Sequence, residues 1–537
     1  MPIRDDLTLA LSDALAAIGV EAPANGVQIE RPARREHGDW SSNVALATAK
    51  AAGRNPREIA AEIVAHLEAN RPAHVDAIEV AGNGFVNFRL AATWLHAVLA
   101  EVVDQGTDQF ARSEVGAGEK VMIEFVSANP TGPVHVGNGW FASYGDALGR
   151  VMSRNGYGIS REYYVNDTGG QIRKLGASLL AHHKGEPVPE GGYPGEYVAD
   201  LAKEYDGPDD VTEAGRWAAD RVLAGIRATM ESVHIHYDVW FSQASIEDSS
   251  AVADTIALLA EQGVVYEEDG ALWLKTADYG DPREKRVLRK SDGDYTYIAG
   301  DLAYHRNKFL IRGFDRVINV WGADHQSQVG SLKAGVAILG IDPSRLECRI
   351  GQMVSLAGAK MSKRAGNVID MDELVGDIGP DATRLLSLLT SIDQAVTIDL
   401  DTVRSDSKES PVYYVQYAHT RIASINRVAA ERGVERAAID TVDLGLLTHE
   451  RETELLRSLE ELPEVVALAC TDRAPHKVAT WVRELADRFH GFYHDCYVMG
   501  DGVSPELTQA RLWLVEAARI GFAIGLDLLG VSAPESM

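Results

Sequence analysis

The run Ser127-Ala128-Asn129-Pro130-Thr131-Gly132-Pro133-Val134-His135-Val136-Gly137-Asn138 carries the strongest chemical signal in the chain. Val121 to Val126, apolar except for Glu124, reads as a short strand that breaks into the Pro- and Gly-rich loop; a helix then begins near His135. A strand that ends this way turns backbone N–H groups and a helix N-terminus out of the carboxyl edge of a parallel sheet, where they hold anions. His135 and Asn138, three apart at the helix start, can face the bound group together and donate hydrogen bonds to a polyphosphate. An ordinary strand-to-helix connection with a surface histidine is the plainer alternative, and the loop before it counts against that alternative.

A second signal is Gly358-Ala359-Lys360-Met361-Ser362-Lys363-Arg364-Ala365-Gly366-Asn367, with three basic residues in five positions between glycines. A mobile cationic loop suits phosphoryl-group chemistry, because charge builds on departing pyrophosphate and must be met electrostatically. A solvated basic loop is the bland alternative. The order Lys-Met-Ser-Lys after a strand, downstream of the first motif, favours chemistry.

The elements that must position these loops follow from periodicity. Leu7, Leu11, Leu15 and Ile18 predict an amphipathic helix closed by Gly19. Asn55-Pro56-Arg57-Glu58 predicts the start of a second, with Ile59, Ile63 and Leu67 on its buried stripe. Gly84 to Leu90 reads as a strand, and Asp104 to Gly118, rich in Gly, Asp and Ser, as a linker. Beyond Lys120 the pattern is strand, loop, helix: strands at Ile159–Val165 and Arg316–Trp321, and helices ending near Asn155-Gly156 and Gly340. This alternation predicts a parallel, doubly wound sheet. Residues 185–290 fit an insertion between its halves. From Thr390 onward the reading is all helical, with Pro411, Pro475 and Pro505 at helix starts.

The chain has 537 residues, enough for three or four domains at roughly 150 residues each. Its 45% hydrophobic and 24% charged content excludes wholesale disorder and a fibre. Cys348, Cys470 and Cys496, odd in number and far apart, predict neither a disulfide framework nor a zinc site, and point to a reducing cytoplasm. The start is not the basic start of a signal peptide, and no apolar run approaches the ~20 residues that span a bilayer. The net charge of −27 by itself argues against a nucleic-acid partner.

The motifs argue for one. The loop through Asn138 resembles the HIGH-type signature of class I aminoacyl-tRNA synthetases, and Lys360 to Arg364 resembles their KMSKS loop. More narrowly, the chain resembles arginyl-tRNA synthetases nearly end to end. Glu36-His37-Gly38-Asp39-Trp40-Ser41-Ser42-Asn43 and Gly84-Phe85-Val86-Asn87-Phe88 are similar to that family's N-terminal domain. Pro411 to His419 and Gly525 to Val531 are similar to its anticodon-binding bundle.

The resemblance implies an α/β multidomain protein: a small N-terminal α/β domain over 1–112 that contacts tRNA, a Rossmann-type parallel-sheet catalytic domain with an insertion over 113–390, and a C-terminal all-α helix bundle over 391–537. It implies that arginine and ATP form arginyl-adenylate, and that the arginyl group passes to the 2′-hydroxyl of the terminal adenosine of its tRNA. Mg²⁺ would arrive on the ATP phosphates rather than in a protein metal site. His135, Asn138, Lys360 and Lys363 would be catalytic. Thr131, Gly132, His135, Gly137, Asn138, Asp324, Met353, Val354, Lys360, Ser362 and Lys363 would bind ATP.

A guanidinium calls for bidentate carboxylates and aromatic stacking. Glu124 and Asn129, five apart, and Tyr297 and Asp301, four apart, match the family's arginine pattern; Ser127 and His325 join them. A strand Glu satisfying a hydrogen bond and a core Tyr are the alternatives. Tyr413, Tyr414, Tyr417 and Arg421, on one helix, fit stacking with unpaired anticodon bases and core packing equally well. The run Arg283, Lys285, Arg286, Arg289, Lys290 fits an acceptor stem or a solvated face. Asn138 replaces the family's usual second His, so Lys360 and Lys363 would supply the positive charge it lacks. The chain is expected to be a cytoplasmic enzyme with no membrane partner, working as a monomer. The alternative is a weakened or specialised relative that only binds arginine or tRNA.

Overall fold

Five parallel strands carry the first motif in the computed structural model, which describes residues 2–32, 34–281, 283, 285–356, 369–399 and 410–536. The Lys360–Arg364 loop, with Ser362 and Lys363, lies outside the described residues. Two compact units are present, one of residues 1–110, 421–464 and 487–521, the other of 111–420, 465–486 and 522–537.

In the first unit, β1 (Trp40–Ser42), β2 (Val75–Ala81) and β3 (Phe85–Leu90) form an antiparallel sheet in the order β1-β3-β2. Trp40 stands opposite Phe88, both fully buried. Gly38 has φ +99, and a Cβ there would lie 2.5 Å from the Phe88 carbonyl oxygen, so only glycine lets the chain turn into β1. Asp39 accepts the Leu90 N–H at 2.8 Å and pairs with Arg457 at 2.5 Å. Arg31 lies 4.4 Å over the Trp40 ring and pairs with Glu460 at 2.6 Å. Much of the Glu36–Asn43 resemblance therefore carries packing.

In the second unit, β4 (Lys120–Phe125), β5 (Gly158–Val165), β6 (Val239–Ser242), β10 (Arg316–Gly322) and β11 (Leu346–Gly351) pair in parallel in the order β11-β10-β4-β5-β6. The strand order reverses between β4 and β10, the place where doubly wound sheets open a crevice for ligand. The Val136–Arg154 helix covers β4, and a Cβ on Gly145 would fall 2.3 Å from the Phe125 ring. Fully buried Arg384 anchors that helix: it bonds Asp146 at 2.6 Å and the carbonyls of Val233 and Leu529 at 2.9 and 2.8 Å.

The 185–290 stretch contributes β6 to the main sheet as well as material of its own. Its other parts include the Glu196–Glu204 and Val211–Ser232 helices and an antiparallel sheet of β7 (Val265–Glu268), β8 (Ala271–Lys275) and β9 (Lys285–Arg289). Four long helices, Pro411–Glu431, Glu450–Thr471, His476–Asp495 and Pro505–Leu529, make up the C-terminal region.

Three expectations are corrected. Asp104 to Gln109 is not linker but the end of the Ala92–Gln109 helix, bent at Gly106 (φ 58, ψ −163). An Ala-rich helix, Val44–Ala52, precedes the one capped by Asn55, whose side chain accepts the Arg57 N–H at 2.9 Å. The chain after Thr390 is not purely helical, because β13 (Val396–Ile398) pairs in parallel with β12 (Val354–Leu356).

Candidate active site

The first motif leaves β4 through a strained turn. Val126 (φ 71) and Ser127 (φ 45) are both left-handed, a conformation that costs on the order of 1–3 kcal/mol per residue and is rare for a β-branched side chain. Hydrogen bonds hold it. Ser127 Oγ accepts the Tyr164 N–H at 3.1 Å and donates to Glu124 Oε1 at 3.3 Å, while the Ser127 carbonyl accepts from Asn166 Nδ2 at 3.1 Å. Beyond it, Asn129 Nδ2 donates to Gln171 at 2.8 Å, and the buried Thr131 carbonyl accepts from the Tyr197 hydroxyl at 2.5 Å. Gly132 is buried beside it.

His135 is the N-cap of the Val136–Arg154 helix: its Nδ1 accepts the Asn138 N–H at 3.3 Å. With Nδ1 accepting, a neutral ring carries its proton on Nε2. The two motif residues are thus coupled through the cap, with Gly137 buried between them. The backbone of Val134 and Val136 bonds Met371 N–H and the Ile369 carbonyl at 2.8 and 3.1 Å, so the chain that follows residues 357–368 is fastened to the motif loop.

Glu124 is buried at the carboxyl half of β4, ion-paired with fully buried Lys308. Its register partner on β10 is Asn319 and on β5 is Glu162. Glu162, also fully buried, accepts from the Tyr304 hydroxyl at 2.5 Å and from Arg312 at 2.6 Å. Asp301 lies on the Tyr297–Arg306 helix. Its carboxylate has no ion pair among the described residues and reaches water, yet the surrounding protein desolvates it. That burial, with the nearby Glu124 charge and against the pull of Lys308, raises it from the usual carboxylate range to about 7. His305 is buried and held neutral, by burial first and Lys308 second. Tyr297 is 90% exposed one turn before Asp301, which rules out a core role.

Asp324 and His325 sit exposed in the Ala323–Gln328 turn at the carboxyl end of β10, 3.4 Å apart. Met353 is exposed just past β11, and Val354 is buried in β12. The fold therefore brings Glu124, Ser127, Asn129, Thr131, Gly132, His135, Gly137, Asn138, Asp324, His325 and Met353 to the same carboxyl edge of the sheet.

Tyr413, Tyr414, Tyr417 and Arg421 lie elsewhere, on the Pro411–Glu431 helix. The Tyr413 and Tyr417 rings stack 5.6 Å apart at 17°, and Tyr413 is exposed, so neither forms a sealed core. Arg421 covers the Tyr493 ring at 4.3 Å. The basic run is partly spoken for: Arg286 is bidentate to Asp281 at 2.8 Å, and Lys285 pairs with Glu268, whereas Arg283, Arg289 and Lys290 are exposed.

Sequence reasoning missed Glu162, His305, Lys308, Arg312 and Asn319. A signal was present, because polar residues inside apolar parallel strands, such as Asn319 in Val-Ile-Asn-Val, require buried partners. All three cysteines are free thiols. Among the described residues no cluster of three or more His, Cys, Asp or Glu could hold a metal, and no helix is long and apolar enough to cross a membrane.

Three family models match stretches of this chain. Residues 5–90 match the family model described as arginyl tRNA synthetase N terminal domain, 195–422 that of tRNA synthetases class I (R), catalytic domain, and 415–537 that of the DALR anticodon binding domain. An arginine–tRNA ligase of Carboxydothermus hydrogenoformans is 43% identical over 530 residues, covering 95% of this chain and 94% of the relative. One of Moorella thermoacetica is 43% identical over 95% of this chain and 93% of its own. The solved arginyl-tRNA synthetase of Thermus thermophilus, 23% identical, shares the fold with a TM-score of 0.75 over 99% of this chain and 100% of its own.

Proposed function

This chain belongs to the arginyl-tRNA synthetase family, and from that premise we propose how its residues divide the work of an arginine–tRNA ligase that uses ATP. One observation supports the assignment most directly. On β4 and β5, two buried carboxylates, Glu124 and Glu162, are answered by fully buried Lys308 and half-buried Arg312, and nearby Asp301 has no ion pair among the described residues. A single unanswered carboxylate in a desolvated site is matched by a single guanidinium.

Asp301 and Glu124 receive the arginine side chain, Tyr297 stacks on it, and Ser127, Asn129 and His325 orient its α-amino and carboxylate end. The arginine carboxylate attacks the α-phosphorus of ATP, forming arginyl-adenylate and releasing pyrophosphate. Donors at the capped helix start, His135 and Asn138, meet the charge on the phosphates, together with Lys360, Ser362 and Lys363 of the second loop. Thr131, Gly132, Gly137, Asp324, Met353 and Val354 form the nucleotide site. Mg²⁺ arrives on the ATP phosphates. The arginyl group then passes to the 2′-hydroxyl of the terminal adenosine.

Residues 1–112 contact the tRNA body, 113–390 perform catalysis, and 391–537 read the anticodon through Tyr413, Tyr414, Tyr417 and Arg421. The enzyme works as a monomer in the cytoplasm. Charging total tRNA with radiolabelled arginine tests the whole assignment. Incorporation with arginine and not with lysine supports it, and none with arginine rejects it in favour of a binding-only relative.

A further inference from the structure

Asp301 and Lys308 are seven residues apart and would share one face of an α-helix. In the structure Asp301 reaches water and Lys308 is fully buried. Lys308 lies within Asn307–Ile311, a π-helical turn that directly follows the Tyr297–Arg306 helix, and such turns are frequent at functional sites.

Lys308 is the junction of a buried hydrogen-bond chain. Its Nζ donates to Glu124 Oε2 and, at 3.2 Å, to Asn319 Oδ1. Asn319 Nδ2 donates to His305 Nε2 at 3.1 Å, which leaves the proton of this neutral ring on Nδ1, bonded to the Asp301 carbonyl at 2.8 Å. The Lys308 ammonium also lies 4.0 Å over the Tyr304 ring. Lys308 exposes no surface to solvent. Its contacts join the side chain of one arginine-receiving residue to the backbone of the other.

We propose that Lys308 is a positioning residue for arginine recognition: it fixes Glu124 from below, leaving Oε1 for Ser127 and the ligand, and through Asn319 and His305 locks that carboxylate in register with Asp301. The proposal rests on the reading of Glu124 and Asp301 as the guanidinium site. A buried pair that serves only stability would affect every substrate alike, whereas a positioning lysine acts on arginine alone and through Glu124 alone.

Arginine-dependent ATP–pyrophosphate exchange by the full chain, with tRNA present, separates the two. Lys308→Met is expected to raise the KM for arginine about tenfold or more, with the KM for ATP within about twofold. Lys308→Arg should recover most of the loss. In a Glu124→Gln background, adding Lys308→Met should change the arginine KM by less than about twofold, since the residue it positions is already disabled. The double variant removes both charges together, so this comparison stands even if Lys308→Met alone does not fold. Equal rises in both KM values, an unchanged arginine KM, or a full tenfold loss in the Glu124→Gln background would overturn the proposal. A wild-type chain without exchange overturns the underlying reading and the proposal together; an active wild type with an indifferent Lys308→Met overturns the positioning role alone.

Discussion

Glu124 on β4 and Glu162 on β5 are register partners in the parallel sheet, and each is held by its own buried or half-buried cation, Lys308 for the first and Arg312 for the second. Two carboxylates side by side in a sheet interior repel unless each is neutralised. With both answered locally, nearby Asp301 is left without an ion pair among the described residues, and it is the carboxylate proposed to meet the arginine guanidinium.

Removing that charge should cost arginine recognition and little else. Asp301→Asn is expected to raise the KM for arginine on the order of 100-fold, as loss of a charge-assisted bidentate partner does, with the KM for ATP nearly unchanged. Steady-state pyrophosphate exchange with each substrate varied in turn measures both.

The raised Asp301 value gives a pH dependence with a definite sign. With its carboxylate moved up to about 7, the arginine-free site is mostly protonated at pH 6 and mostly ionised at pH 8. The kcat/KM for arginine should therefore rise roughly tenfold between these pH values, and the inflection should vanish in Asp301→Asn. For stability the sign is opposite: a raised carboxylate stabilises the fold below its unfolded value and loses that contribution as pH rises through 7. Asp301→Asn should accordingly melt higher than the parent at pH 8, with no such gain at acid pH.

A second pH effect comes from the anchor of the motif helix. Burial alone would raise Asp146, but Arg384, Arg150 and Arg161 together hold it below the ordinary carboxylate value. Its stabilising effect is present above 3.8 and lost as pH falls through the lower folded value. Arg384→Met, which leaves the buried Asp146 charge and the carbonyls of Val233, His234 and Leu529 unanswered, is expected to destabilise the second unit by about 3–5 kcal/mol at pH 7. Chemical denaturation at pH 7 measures the loss, and the difference from wild type should shrink in acid.

The second loop is expected to act in the chemical step. Lys363→Ala should lower kcat on the order of 100-fold with a smaller change in arginine KM, because its charge meets pyrophosphate as it departs. Single-turnover adenylate formation is the measurement.

Much of the candidate site is legible in the sequence. Glu124 is a carboxylate inside an apolar strand and the Asn129–Asn138 loop shows its break and helix start, whereas Tyr297 and Asp301 are marked by the family's Tyr and Asp spacing that the resemblance implies. Lys308 is not legible in this way, because a lysine in a helical stretch reads as a surface residue and nothing local announces the buried partners Glu124 and Asn319 that hold it. Val44–Ala52 escaped notice since alanines leave no apolar stripe. Asp104–Gln109 read as linker because its Gly and Asp content outweighs, locally, the packing that carries the helix through Gly106. At three residues, β13 is held by pairing with β12 rather than by any pattern of its own. The −27 charge was a poor guide to the partner, and part of it proves to be carboxylates neutralised inside the fold.

Pyrophosphate exchange with purified chain, ATP, tRNA and a single amino acid tests most directly the claim that the β4–β10 crevice activates arginine. Exchange with arginine that falls to background with lysine or citrulline, and that Asp301→Asn restores only at far higher arginine, is the expected result. Absence of exchange with arginine, or equal exchange by wild type and Asp301→Asn at low arginine, would contradict it.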